Sequence, residues 1–111
     1  MVSVLDISGA AIILMDRRFD SNNALEVEAD VKRIVERSPE RVLFDFSETE
    51  YIASAGMRVL LSLTRSILQK GGKVALSSLS PNVRKVFDIG GFTKVFPIFG
   101  TRQDAFQYLQ E

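Results

Sequence analysis

The stretch RVLFDFSETEYIASAGMRVLLSLTRSILQKGG, residues 41–72, decides the fold. Arg41 to Phe46 (RVLFDF) is mostly apolar. Val42, Phe44 and Phe46 share one face and Leu43 and Asp45 the other, so the spacing predicts a strand. Asp45 comes late in that strand and is expected to face water at the sheet end. The loop SETEYIA follows, and Ser54 is then placed as the N-cap of a helix. Met57, Leu60, Leu61, Thr64, Ile67 and Leu68 recur at helical spacing, the strongest amphipathic signal in the chain, and read as core. Lys70-Gly71-Gly72 is a helix stop with a basic last turn.

Further along, the strand-then-helix unit repeats. Lys73 to Leu76 predicts a strand. Ser80-Pro81 supplies an N-cap followed by proline at the first helical position. Val83, Val86 and Phe87 give that helix its buried face, and Gly90-Gly91 stops it. Val95 to Phe99 predicts a strand that Pro97 confines to the sheet edge. Thr101 to Asp104 resembles a capping box, and Phe106 and Leu109 anchor the last helix. Towards the N-terminus, Asn23 with Glu26 predicts a relaxed capping box. The helix after it carries Val27, Val31, Ile34 and Val35 on one face and ends at Ser38-Pro39. Before it, the apolar run Ala11–Met15 predicts a strand buried on both faces. Val2, Val4 and Ile7 alternate in a shorter strand, joined to it through the turn Ser8-Gly9. The order ββαβαβαβα predicts one α/β domain over residues 1–111. Its sheet is mixed and mostly parallel, with about five strands flanked by four helices.

Composition narrows the function. The 111 residues are 46% hydrophobic, enough for a core, with 14 basic and 14 acidic residues. Balanced charge argues against nucleic acid as the main partner. There is no Cys and no His. Disulfides, thiol nucleophiles, the usual zinc sites and a Ser-His-Asp triad are therefore absent, which argues against an enzyme. No segment calls for a cofactor. The N-terminus lacks a basic start and a cleavage site, and no run approaches a membrane span, so the expected location is the cytoplasm.

Open α/β sheets carry functional loops beyond the carboxyl ends of their parallel strands. Here the loops are Arg17 to Asn23, Ser47 to Ser54 and Ser77 to Ser80. They are expected to gather Asp20, Ser21, Asn23, Glu48, Glu50, Ser54, Ser78 and Ser80 at one polar, acidic edge. Read from the residues alone, Ser54 is a cap and Asp20 an Asx-turn or cap. Ala55 and Gly56 are small enough for another backbone to approach the helix start, whether a partner's or the domain's own. Lys70-Gly71-Gly72-Lys73 ends a helix and is no phosphate loop.

Three segments in order resemble the STAS domain, the fold of bacterial anti-sigma factor antagonists. They are Phe19–Ala24, Val42–Ser47 with Tyr51–Leu61, and Gly71–Val74 continuing through Leu79–Phe92. The resemblance implies a docking protein whose partner is an anti-sigma factor with serine kinase activity. It implies that this partner binds the unphosphorylated chain and then phosphorylates Ser54, two positions before Gly56. The docking face it implies comprises Asp20, Ser21, Asn23, Ala53, Ser54, Ala55, Gly56, Met57, Arg58 and Ser80. Two positions depart from the family: its Asp before the acceptor is Ala53 here, and its Gly before the hydrophobic-Asp pair is Arg17. Ala53 keeps an alternative open, an accessory subunit on the ATPase of a lipid-transport system. A scaffold in a stress-signalling assembly is a further alternative, and a monomer or a weak dimer fits equally.

Overall fold

The computed structural model describes residues 2–37 and 40–111. Strands β1 (Ser3–Ile7) and β2 (Ala10–Leu14) form the expected hairpin. Its turn places Ser8 at φ 52° and Gly9 at φ 82°, the left-handed pair that a twisted two-residue hairpin requires. β2 pairs in parallel with β4 (Arg41–Asp45), β4 with β6 (Lys73–Ser77), and β6 with β7 (Ile98–Phe99). The sheet order is β1-β2-β4-β6-β7, with β1 alone antiparallel. The mixed, mostly parallel sheet of the α/β reading is thus observed.

Among the described residues four α-helices flank this sheet: α1 (Ala24–Glu36), α2 (Ser54–Gln69), α3 (Pro81–Ile89) and α4 (Arg102–Gln110). Both faces of β4 are buried, which explains its apolar run. Val42 and Phe44 join the larger core with Val27, Val31, Leu60 and Phe87 of the first three helices. Leu43, Ile12 and Ala75 point the other way, against Ala105 and Leu109 of α4. The Schellman stop of α2 is complete: Gly72 N donates to Ile67 O and Gly71 N to Leu68 O, both at 3.0 Å.

Several expectations are corrected. The α2 core face is rotated: Val59 and Leu63 are buried beside Met57, Leu60, Thr64 and Ile67, while Leu61 is half-buried and Leu68 is 54% exposed. With apolar residues on most sides of the helix, spacing alone does not choose the buried arc. Lys70 is the C-cap of α2, so the last turn has no basic residue. Val86 of α3 is exposed. The strand foreseen over Val95–Phe99 shrinks to Ile98–Phe99, because Phe92–Lys94 forms a 3₁₀ turn after left-handed Gly91. Asp45 does not face water. It is 2% exposed and accepts bonds from Arg102 Nε at 2.6 Å and Ser47 N at 2.8 Å. The Ser38-Pro39 stop lies outside the described residues.

Candidate functional site

The loops after β2 and β4 are zipped together by a second, two-stranded sheet that the sequence reading missed. β3 (Arg18–Phe19) pairs in parallel with β5 (Tyr51–Ile52). Ala53 N donates to Phe19 O at 2.9 Å, Glu50 N to Arg17 O at 2.8 Å, and Thr49 Oγ1 to Asp16 O at 2.7 Å. The first turn of α2 then lies against this pair. A Cβ on Gly56 would stand 2.4 Å from Phe19 O. Gly56 therefore serves close approach within the domain, and only glycine lets the helix start sit here.

Two capping expectations are corrected. Asn23 is the N-cap of α1 by position, but its side chain does not cap the helix. Its Oδ1 accepts Asp20 N at 3.0 Å and its Nδ2 donates to Arg18 O at 2.6 Å, so it braces the loop. Ser54 is the first helical residue, not the cap. Met57 N bonds to Ala53 O at 3.0 Å, which makes Ala53 the N-cap, and no side chain caps α2. Ser54 is exposed. Ser80 behaves as expected, with Oγ accepting Val83 N at 3.3 Å.

The edge is less acidic than its composition implied. Asp20 is buried, with Oδ1 accepting Asn22 N at 3.0 Å and Oδ2 accepting Arg18 Nε at 3.1 Å. The Arg18 guanidinium also stacks over Tyr51, 4.7 Å from the ring centroid. Glu50 is paired with Arg17. Its hydrogen bond, and then its charge, raise the Arg17 pKa further, so Arg17 remains a cation. Of the three carboxylates near Ser54 foreseen from sequence, Glu48 is exposed and has no such pair among the described residues.

Beside the start of α2 lies a groove of about 330 Å³ between α1 and α2. It brings Ser21, Ala55 and Arg58 together with Ala24, Leu25, Glu28 and Val59. Leu25, 78% exposed, was missed. Its signal was an apolar residue out of phase with the Val27–Val31–Val35 stripe. Gly56 and Met57 face the core. Ser78, in the third loop, is half-buried in the left-handed region at φ 63°, with its N–H on Phe99 O at 3.0 Å. Among the described residues, no three acidic side chains gather in a way that could hold a metal ion. No helix among them is long and apolar enough to cross a membrane.

What this edge offers chemically is a presented hydroxyl on a rigid helix start, beside a groove that mixes apolar and charged side chains. The family model described as the STAS domain matches residues 2–105. The candidate anti-sigma factor antagonist BtrV of Bordetella bronchiseptica is 36% identical over 99 residues, covering 89% of this chain and 85% of that protein. The crystal structure of an anti-sigma factor antagonist from Mycobacterium paratuberculosis superposes with a TM-score of 0.91 at 22% identity, covering 100% of this chain and 94% of that one. The phosphorylated form of the Bacillus cell fate determinant SpoIIAA shares the fold at a TM-score of 0.74 and 17% identity, covering 97% and 98%.

Proposed function

The chain belongs to the STAS domain family, and from that premise we propose that it is an anti-sigma factor antagonist switched by phosphorylation of Ser54. The unphosphorylated form docks on an anti-sigma factor with serine kinase activity. That partner transfers a phosphoryl group from ATP to Ser54 Oγ: the new O–P bond forms, the bond to ADP breaks, and the hydroxyl proton passes to a base in the partner. The chain supplies only the hydroxyl. The observation that carries this reading is that Ser54 is exposed at the first turn of α2 while no side chain caps that helix. In this reading Ser21, Ala53, Ser54, Ala55 and Arg58 touch the partner. Asp20, Asn23, Gly56, Met57 and Ser80 hold that surface in shape.

Phosphorylation adds a charge of about −1.5 to −2. At a helix N-terminus the dipole favours it by about 0.3–1 kcal/mol, so the fold tolerates the change. Arg58 lies one turn on, at the i+4 position that faces residue 54. It makes no ion pair among the described residues. The phosphate draws Arg58 back and places a dianion where the partner must pack. Both effects weaken docking without a change of fold.

Ser54→Asp is expected to lower partner affinity at least tenfold with a native circular dichroism spectrum. Unchanged affinity would overturn the proposal. Ala53 supports a second reading, docking of the same face on a lipid-transport ATPase without phosphorylation. Co-purification with a transporter complex, with no phosphate on Ser54 by mass spectrometry, would select it.

A further inference from the structure

α2 is the one helix of the four with no acidic residue. It carries two arginines, Arg58 and Arg65, both exposed and neither in an ion pair among the described residues. The arginines of the other helices are tied: Arg33 to Asp30, Arg84 to Asp88 at 3.7 Å, and Arg102 to Asp45 at 2.6 Å. The α2 pair is also in register with Ser54. Positions 54, 58, 61, 65 and 68 fall within an arc of about 80° at the helical repeat. That arc reads Ser54, Arg58, Leu61, Arg65, Leu68.

The spacing is a heptad. Ser54, Leu61 and Leu68 recur every seven residues, and Arg58 and Arg65 flank them with the same period. Two helices packed at a small angle keep this register, with apolar residues along the seam and charged residues beside it. Among the described residues the apolar part of this seam is only partly covered. Leu61 is half-buried and Leu68 is 54% exposed. A groove of about 360 Å³ runs beside both, bounded across from the helix by Val95, itself 56% exposed.

We infer that the docking surface runs the whole length of α2 and receives a helix of the anti-sigma factor. That helix sets apolar residues on Leu61 and Leu68 and carboxylates opposite Arg58 and Arg65. The inference rests on the reading of Ser54 as the centre of a partner site. The partner's chemistry follows from charge: two cations without an internal counter-ion, interleaved with leucines, match an acidic amphipathic helix. Interface charges of this kind mainly raise the association rate and select the partner. Arg58 belongs to both ends of the device, since phosphate on Ser54 removes it from the stripe. Arg65, about 16 Å along the axis from Ser54, lies beyond the phosphate's direct reach.

The test uses the full chain and the anti-sigma factor of the same genome, with affinity by calorimetry and rates by surface plasmon resonance. Arg65→Glu is expected to weaken binding at least tenfold, mostly in the association rate, and to flatten its salt dependence. Arg65→Lys should stay within about threefold of wild type, and Leu68→Ala should weaken binding severalfold through a faster dissociation rate. Circular dichroism confirms that each variant is folded. If Ser54→Asp weakens binding while Arg65→Glu stays within twofold of wild type, docking ends at the first turn and the inference falls alone. If neither variant changes binding, the reading of Ser54 falls with it. Binding to vesicles containing anionic lipid that Arg65→Glu abolishes, with partner affinity unchanged, would assign the stripe to a membrane surface and overturn the inference.

Discussion

Ser54 and Ser80 stand at the starts of neighbouring helices, and the fold uses only one of them. Ser80 is spent on its helix: Oγ accepts Val83 N, and Pro81 follows at the first helical position. Ser54 lies one residue inside α2, its hydroxyl exposed, with the cap position held by Ala53. The arginines repeat the contrast. Arg102 neutralises buried Asp45, whereas Arg58 and Arg65 are left to solvent. Polar groups that hold the fold are engaged inside it, and those left idle on one helix face are the ones the proposed docking would use.

The contrast breaks if the engaged groups prove dispensable. The largest expected effect is Arg102→Ala, which strands the Asp45 carboxylate at 1% side-chain exposure. A loss of about 3 kcal/mol in urea unfolding is expected, with partner affinity unchanged. Gly56→Ala comes next. Its methyl group would meet Phe19 O, and overpacking offset by the better helix propensity of alanine leaves a net loss of about 2 kcal/mol. Because this shifts β3 and β5 against α2, partner affinity should fall as well. Ser80→Ala removes a real cap and should lower stability by about 1 kcal/mol in the same assay. Ser54→Ala sharpens the comparison from the other side: stability should stay within about 0.5 kcal/mol of wild type. A loss as large as that of Ser80→Ala would show Ser54 to be a cap after all.

Local signals were legible where the physics is local. Ser80-Pro81, the Thr101 side chain bonded to Asp104 N at 3.1 Å, and the Lys70–Gly72 stop all read directly from neighbouring residues. The central strands were legible because burial on both faces leaves an unbroken apolar run. The site was legible as a set of loops but not as chemistry. The β3–β5 pair is two residues long on each side, and its partners are 33 positions apart, so no periodicity marks it. Asp45 read as solvent-facing because its counter-ion lies 57 residues on, in α4. The place of Ser54 turned on a single step. Ala53 is extended at φ −113° and ψ 174°, which moves the cap back by one residue and frees the hydroxyl.

That freed hydroxyl is tested most directly by preparing the chain with phosphoserine genetically encoded at position 54 and measuring its affinity for the anti-sigma factor beside the unmodified chain. The account predicts binding at least a hundredfold weaker, with the same circular dichroism spectrum and an unfolding midpoint no lower than that of the unmodified chain. Equal affinity of the two forms would contradict it.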